Sequence, residues 1–174
     1  MRVAYLGLGS NLGNREAHLQ AALDGLQQQQ IQVTAVSPVY ETEAHTTSPA
    51  ETQPDFLNAV VEIETDHDPE CLLDVAQALE QAEGRDRADP ERWAPRPLDV
   101  DLLAVADVVC QTDRLTLPHP RLAERRFVLQ PWADLAPTFV VPPPFGKSVS
   151  ALLHACPDDT SIRRVETEEN RLGS

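Results

Sequence analysis

Apolar positions along the chain change their spacing several times, and each spacing predicts a different element of secondary structure. Residues 3–8 form an apolar run typical of a buried strand, and residues 15–29 show the spacing of an amphipathic helix. Residues 31–40 are rich in β-branched side chains, which favours a second strand. Residues 56–64 alternate, with Leu57 and every second residue after it on the face that suits a core.

The rest of the chain predicts a helix, a strand, a hairpin and further helices. Asp68-Pro69-Glu70 is a typical helix start, and Gly84 is suited to end that helix. Residues 98–105 predict a buried strand and residues 110–117 a hairpin; helices are predicted within 121–135 and 148–154. The order β-α-β-β-α-β predicts an α+β fold of the ferredoxin-like kind: an antiparallel sheet with helices packed on one face and the active site on the other. We expect a single domain over residues 1–170, with residues 171–174 as a flexible tail.

Two aspartates in the predicted strand 98–105 are the strongest chemical signal in the chain. Strand side chains alternate between faces, so Asp99 and Asp101 project from the same face. Val100, Leu102 and Ala104 are then expected on the opposite face. Paired carboxylates are costly to bury without compensating charge, and Mg²⁺ binds one or two carboxylates together with phosphate oxygens. With arginines just upstream to hold phosphates, the segment predicts phosphoryl-type transfer from a nucleotide. The alternative is a solvent-exposed pair of carboxylates that arginines neutralise.

Charge and composition narrow the classes of function. The chain has 174 residues and a formal net charge of −14, which argues against nucleic acid as a partner. Eight of the 14 basic residues fall between Arg85 and Arg126, which indicates that a small polyanion binds at one place. No apolar run suits a membrane span, no signal peptide is indicated, and the three cysteines form no CxxC pair. We therefore expect a cytoplasmic protein without disulfides, zinc or membrane attachment.

Four further positions each admit two interpretations. Phe56 and Asn58 share the strand face opposite the core, where a ring and an amide suit a flat heterocycle; the alternative is an ordinary half-exposed strand. Glu80 lies in the last turn of its predicted helix, against the preference of the helix dipole, so it serves a site or is merely solvated. His119 lies between two prolines and close to arginines, and is either a phosphate contact or a packed structural histidine.

The glycine-rich segment Gly7-Leu8-Gly9-Ser10-Asn11-Leu12-Gly13 does not fit a nucleotide-binding motif. It reads GxGxxxG, with Leu12 where the dinucleotide-binding pattern needs its third glycine. No GxxxxGK[ST] sequence occurs either, and the one lysine is Lys147. We therefore interpret the segment as a tight turn from the first strand into the first helix.

Several motifs together resemble the 6-hydroxymethyl-7,8-dihydropterin pyrophosphokinase family of folate biosynthesis. The strongest is Arg92-Trp93-Ala94-Pro95-Arg96-Pro97-Leu98-Asp99-Val100-Asp101. The others are Gly9-Ser10-Asn11-Leu12-Gly13, Tyr40-Glu41-Thr42, Phe56-Leu57-Asn58-Ala59, Glu80 with Gly84-Arg85-Asp86-Arg87, Pro118-His119-Pro120-Arg121 and Arg125-Arg126-Phe127-Val128-Leu129. Because they follow the family's order along most of the chain, the resemblance is highly specific.

The resemblance implies transfer of the pyrophosphoryl group of ATP to the hydroxymethyl oxygen of 6-hydroxymethyl-7,8-dihydropterin, with release of AMP. It implies that Asp99 and Asp101 hold two Mg²⁺ ions and act in catalysis with Arg85 and Arg96. The implied ATP contacts are Gln77, Glu80, Arg87, Arg92, Arg114, Thr116, His119 and Arg125. The implied pterin contacts are Thr42, Phe56, Asn58, Trp93 and Phe127. The expected partners are ATP and the pterin, and the expected state is a monomer. Because a neutral hydroxymethyl group is a poor nucleophile, Asp99 is our candidate to accept its proton.

The chain departs from the family pattern at a few positions. The loop after Thr42 reads Glu43-Ala44-His45-Thr46-Thr47, where the family usually has a proline and then, two residues on, a glycine. Ala94 replaces a usual glycine, Ala123 a frequent histidine and Arg126 a small residue. Two alternatives to the enzyme are a non-catalytic ferredoxin-like nucleotide-binding domain and a phosphatase or nuclease that uses the aspartate pair. The presence of both aspartates and the main arginines disfavours the first, and the lack of further carboxylates near the motif disfavours the second.

Overall fold

The part of the protein that the computed structural model describes comprises residues 1–43, 55–84 and 97–165. Its strands and helices, in chain order, are β1 (Arg2–Ser10), α1 (Arg15–Gln28), β2 (Gln32–Val36), β3 (Tyr40–Thr42), β4 (Phe56–Thr65), α2 (Pro69–Ala82), β5 (Asp99–Val105), β6 (Cys110–Gln111), β7 (Thr116–Leu117), α3 (Arg126–Leu135), α4 (Val149–Ala155) and β8 (Ile162–Arg164). A 3-10 turn, Leu122–Glu124, leads into α3. The predicted tail, residues 171–174, lies outside the described residues.

An antiparallel sheet in the order β5-β1-β4-β3-β8 forms the centre of the fold, with β2 also paired to β4. Its register places Gly9 of β1 between Asn58 of β4 and Asp99 of β5. Two residues earlier in β1, Gly7 lies between Val60 of β4 and Asp101 of β5. The strands β6 and β7 form a separate hairpin, as the sequence predicts. The register matters for function because it aligns the two aspartates with the predicted heterocycle-binding strand.

The prediction of a single strand over residues 31–40 is wrong, because the structure has two strands there, β2 and β3. Ser37 and Pro38 separate the two strands. The Ser37 amide donates to the Val60 carbonyl at 2.9 Å, and the Ser37 hydroxyl accepts from the Val60 amide at 2.8 Å. Pro38 has no amide hydrogen with which to continue the ladder, so the pairing is interrupted there.

The helices α1 and α2 pack on the predicted face of the sheet, and their ends follow the sequence signals. Asn14 caps α1 by accepting from the Ala17 amide at 3.1 Å. Pro69 opens α2, and Gly84 follows it with a φ of 98°, the left-handed conformation that glycine favours. No helix in the described ranges has both the length and the apolar composition needed to cross a membrane.

The opposite face of the sheet carries a second core, which the sequence does not predict. Helices α3 and α4 cover this face where Tyr5 and Val60 project from it. Trp132 of α3 is fully buried, and its ring centroid lies 5.3 Å from that of Tyr5. The far end of the same face, around Gly9 and Asn58, borders a cavity instead. The predicted α+β arrangement is confirmed, with two additional helices beside the cavity.

A bulge in β5 changes the predicted direction of one side chain. Leu6 pairs with Leu102 while Tyr5 pairs with Ala104, so Leu103 is an extra residue in the ladder. Leu103 and Ala104 therefore both belong to the second core, and the prediction that Ala104 faces α1 and α2 is wrong. The predictions for Val100 and Leu102, which precede the bulge, are confirmed.

Candidate active site

A cavity of about 870 Å³ opens on the second face of the sheet, within the size range of small-molecule sites. Strands β1, β4 and β5 supply its floor. The end of α2 and the β6–β7 hairpin line one side, and the start of α3 with residues 157 and 158 lines another. Its floor therefore includes the sheet face that the sequence predicts for the site, and Leu73, Gln77 and Glu80 of α2 also line the cavity.

All the predicted site residues that the structure describes line this one cavity. They are Thr42, Phe56, Asn58, Gln77, Glu80, Asp99, Asp101, Arg114, Thr116, His119, Arg125 and Phe127. Their order in the chain is not their order in space, because they come from the strands of the sheet, α2, the hairpin and α3. The structure thus brings together positions up to 85 residues apart in sequence, Thr42 and Phe127. The individual roles of these residues stay predictions.

Glycine forms the part of the floor between the predicted pterin and metal residues. Gly9 lies between Asn58 and Asp99 across the sheet. Asn58 and Asp99 are therefore two strand spacings apart, which is about 10 Å. A β-carbon at Gly9 would lie 3.0 Å from Asn58 Oδ1 and 3.6 Å from a ring carbon of Phe56. The interpretation of Gly7 and Gly9 as part of a turn is wrong, since both lie within β1. Gly13, with a φ of 72°, belongs to the turn before α1.

One end of the cavity, where the sequence predicts a heterocycle site, has a buried polar pair beside the ring of Phe56. The Asn58 amide donates from Nδ2 to Thr42 Oγ1 at 2.8 Å, and both side chains are buried. Phe56, which is paired with Thr42 across β3 and β4, also lines the cavity, as does Phe127. The burial of Asn58 excludes an ordinary half-exposed strand at this position. A fixed amide next to aromatic faces can both orient and stack a flat heterocycle.

The carboxylate end is built from Asp99 and Asp101 of β5. Asp101 is 46% exposed, and its Oδ2 lies 3.9 Å from Arg125 Nη1. The Arg125 guanidinium in turn lies 5.8 Å from the centre of the Phe127 ring, within the range of a cation–π contact. Among the described residues, no group of three or more metal-ligating side chains occurs. Two carboxylates are nevertheless sufficient for Mg²⁺ when phosphate oxygens complete its coordination.

Glu80 is buried, so the interpretation that it is merely solvated is wrong. It is 1% exposed, and its Oε2 accepts from the Val100 amide at 3.0 Å. Val100 stands between Asp99 and Asp101, so this bond ties the end of α2 to the strand that carries both carboxylates. On the same side, Arg114 of the hairpin pairs with Asp74 Oδ1 at 2.5 Å and approaches Glu70 at 3.6 Å.

His119 is held as a neutral hydrogen-bonding group. Its Nδ1 accepts from the Arg121 amide at 3.1 Å, which leaves the hydrogen on Nε2. Burial, assisted by the positive charges of Arg125 and Arg121, lowers the pKa of His119 to about 4. The backbone amide of His119 also donates to the Leu103 carbonyl at 2.9 Å. The histidine is therefore partly packed, yet it lines the cavity as a potential donor.

Some predicted residues fall outside the described ranges, and some lining residues were not predicted. The former are Arg85, Arg87, Arg92, Trp93 and Arg96. The latter include Arg121, Glu124, Pro157 and Asp158. Arg121 follows His119 in a motif and could have been found from it. Asp158 carries no motif in the sequence, because its position in the cavity depends on the chain returning to the start of α3.

Comparison with known proteins adds an independent observation. The family model described as 7,8-dihydro-6-hydroxymethylpterin-pyrophosphokinase (HPPK) matches residues 5–137, which is more than half of the chain. The chain belongs to this family. Every residue of the cavity floor and both aspartates lie within the matched range of the HPPK model.

Curated relatives extend the match along most of the chain. A protein of Pseudomonas aeruginosa named 2-amino-4-hydroxy-6-hydroxymethyldihydropteridine pyrophosphokinase is 41% identical over 154 residues, covering 88% of this chain and 91% of its own. A Methylorubrum extorquens protein of the same name is 42% identical over 168 residues, covering 95% of this chain and 100% of its own. The HPPK chain therefore has nearly the same length as these relatives.

Solved HPPK structures confirm the fold. A structure titled as HPPK-DHPS in complex with substrates has a TM-score of 0.66 and 12% identity, and the match covers 88% of this chain and 43% of that one. A Plasmodium falciparum HPPK-DHPS structure has a TM-score of 0.67 and 14% identity, with 88% and 45% covered. This chain spans less than half of those longer proteins, so at this identity the likeness concerns the fold alone.

Proposed function

We propose that this protein transfers the pyrophosphoryl group of ATP to the hydroxymethyl group of 6-hydroxymethyl-7,8-dihydropterin and releases AMP. The observation that carries the proposal is the arrangement of one cavity in an HPPK family member. A buried amide lies at one end beside the ring of Phe56, and a pair of carboxylates lies about two strand spacings away. The side-chain-free surface of Gly9 lies between them, where the acceptor oxygen and the transferred group would meet.

The pterin ring would occupy the end formed by Asn58 and Thr42. The bond between their side chains fixes the rotamer of Asn58, so that its amide presents a constant pattern to the edge of the ring. Phe56 and Phe127 would contact the faces of the ring. Since Gly9 offers no side chain, the hydroxymethyl arm can extend over it toward Asp99.

The phosphate end requires added positive charge, which supports Mg²⁺ as the partner of ATP. In the described lining of the cavity, carboxylates outnumber guanidiniums seven to three. An excess of carboxylates in the described lining favours added cations beside a polyanion, and Asp99 and Asp101 have the donor chemistry to hold Mg²⁺. When bound, the ions would offset the charge of the phosphates; we propose two of them. Arg114, Arg125 and the neutral donor of His119 would contact ATP, with Gln77 and Thr116 lining its site.

The proposed chemistry forms one bond and breaks one. The hydroxymethyl oxygen attacks the β-phosphorus of ATP, the bond from that phosphorus to the α-phosphate oxygen breaks, and AMP leaves. The hydroxyl proton must leave the acceptor oxygen, and Asp99 is the proposed acceptor because it faces Gly9 at the middle of the cavity. Positioning and charge stabilisation supply most of the rate in reactions of this kind.

Other features of the proposal rest on the sequence. We propose a single domain over residues 1–170 and a monomer, with ATP and the pterin as the only required partners. A cytoplasmic location follows from the expectation that the cysteines stay reduced, and in the structure all three are free.

The decisive experiment measures AMP formation from ATP and Mg²⁺, with and without 6-hydroxymethyl-7,8-dihydropterin. We expect AMP only when the pterin is present, and we expect loss of AMP in Asp99→Ala. AMP or phosphate release without the pterin would favour a phosphatase or nuclease. Saturable ATP binding without any turnover would favour the non-catalytic nucleotide-binding domain.

A further inference from the structure

The C-terminal part of the chain approaches the cavity, although the family match ends at residue 137. After α4, Pro157 and Asp158 line the cavity, and β8 adds to the edge of the sheet beside β3. The pairing joins Ile162 to Thr42 and Arg163 to Glu41. The last described strand therefore lies next to the strand that supplies a predicted pterin contact.

Two arginines from distant parts of the chain hold the carboxylate of Glu41. Arg163 of β8 donates to one oxygen, and Arg15 at the start of α1 donates to the other at 2.9 Å. Arg15 also donates to the backbone carbonyl of Asp55 at 2.8 Å. Glu41 is 18% exposed, and the hydrogen bond from Arg163, supported by that from Arg15, keeps the pKa of Glu41 below its usual value. The carboxylate therefore stays ionised and paired at neutral pH.

This network lies directly behind the pterin end of the cavity. Glu41 and Asp55 adjoin Thr42 and Phe56, which are paired with each other across β3 and β4. Side chains alternate along a strand, so Glu41 projects from the face opposite Thr42. Movement of Glu41 would consequently shift the backbone that carries Thr42 and its hydrogen bond from Asn58.

A second contact joins the same C-terminal segment to α3. Asp158 Oδ2 accepts from the Arg126 amide at 3.1 Å, and Asp158 Oδ1 accepts from the Thr160 amide at 2.9 Å. Arg126 is the first residue of α3, where a carboxylate is favoured by the helix dipole. Phe127 and Arg125, both in the cavity, are its immediate neighbours.

We propose that residues 157–165 position the pterin end of the active site through Arg163 on Glu41 and Asp158 on Arg126. Arg163 acts on the strand that carries Thr42, and Asp158 acts on the helix start that carries Phe127. Arg15 completes the network from the other side of Glu41. This inference rests on the proposed function, because it assumes that Thr42 and Phe127 contact the pterin.

The test compares Arg163→Gln and Asp158→Asn with Arg164→Gln in the full-length chain. Arg164 lies on the same strand, is exposed, and loses the same charge in its variant. We expect the KM for the pterin to rise about threefold to tenfold in Arg163→Gln and Asp158→Asn, the range of coupling within one charged network. In Arg163→Gln the KM for ATP and the kcat should change by less than about twofold. Arg164→Gln should match the wild type in both KM values, because side chains alternate along β8 and Arg164 therefore projects from the face opposite Arg163. Thermal melting checks that each variant is folded.

Equal rises of both KM values, or an unchanged KM for the pterin in folded variants, would overturn the proposal. If Arg163→Gln unfolds, Arg163→Lys replaces it; it keeps the charge but loses the guanidinium that donates to Glu41, and the same criteria apply. A wild-type chain that forms no AMP would overturn the proposed function and this inference together. An active wild type with an unaltered pterin KM in the variants would refute the inference alone.

Discussion

Gly9→Ala should damage pterin binding while leaving the fold nearly unchanged. The added methyl group would stand 3.0 Å from Asn58 Oδ1, which is closer than an ordinary contact, and 3.6 Å from the Phe56 ring. The Asn58 amide must therefore move, and its 2.8 Å bond to Thr42 must weaken. The methyl group would also cover the bare backbone of Gly9, which lies between Asn58 and Asp99 on the floor of the cavity.

The size of the effect follows from these contacts. Weakening the buried Asn58–Thr42 bond costs about 0.5–1.5 kcal/mol of stability. Displacing the Asn58 amide from its position also weakens its contacts with the pterin, and each 1.4 kcal/mol lost there is about tenfold in affinity. Steric loss at the floor adds to this, so we expect the KM for the pterin to rise about tenfold or more. Stability should change little, because replacing glycine by alanine within a strand returns about 0.5–1 kcal/mol by restricting the unfolded chain.

Steady-state AMP formation at varied pterin, together with thermal melting, measures both parts of the prediction. Gly7→Ala is the matched comparison: it adds the same methyl group on the same strand face, where the nearest atom belongs to Leu103 at 3.6 Å, an ordinary contact. Its KM for the pterin should rise less than that of Gly9→Ala. A normal pterin KM in Gly9→Ala would refute the role of the bare floor, and so would an equal rise in Gly7→Ala.

Three further predictions concern the carboxylates and His119. Asp99→Asn should lower kcat by about 10²–10³-fold in saturating Mg²⁺ while its melting temperature stays near that of the wild type; a near-normal rate would rule out Asp99 as proton acceptor. The pKa of His119 falls from 6.5 to about 4 on folding. The contribution of this neutral histidine to the free energy of unfolding is therefore fully present above pH 6.5 and is lost as the pH falls toward 4, by at most about 3 kcal/mol. His119→Gln lacks this titration, so its free energy of unfolding, measured by urea denaturation, should depend less on pH between 6.5 and 4. Glu80→Ala should lose about 1–3 kcal/mol in the same assay because the Val100 amide loses its acceptor, whereas Glu80→Gln keeps one and should lose less.

Much of the fold was predictable because periodicity is a local property. The strand β4 and the helices α1 and α2 follow their apolar spacing closely, and Pro69 and Gly84 mark the ends of α2. The division of residues 31–40 into two strands depends on Pro38, whose effect on strand pairing is local. The prediction missed it because the β-branched residues around Pro38 favour one continuous strand. The bulge at Leu103 follows from the pairing of β5 with β1, and no local signal distinguishes it from regular alternation.

The residues of the candidate site were likewise predictable only in part. Residue types with a specific chemistry, such as Asp99, Asp101 and His119, were predictable because few other positions combine such groups with rigid or apolar neighbours. Asp158 and Arg163 were not, since the contact that matters is with a residue distant in sequence: Arg126 for one and Glu41 for the other. A charged residue in a polar segment predicts a solvated surface unless its partner is known.

Gly9 illustrates why the same residue can be seen in the sequence and still be misinterpreted. Its spacing from Gly7 and Gly13 suggests a turn, because glycine is most often required where φ is positive. In the structure only Gly13 of the three has a positive φ, while Gly9 is needed for the absence of its side chain. That need arises from the register of β1 with β4 and β5, which places Asn58 on one side and Asp99 on the other. In the proposed complex the substrate would span from the amide to the carboxylates, and the strand between them presents bare backbone at Gly9. The two functional ends are thus predictable from chemistry, whereas the surface that joins them follows only from strand pairing.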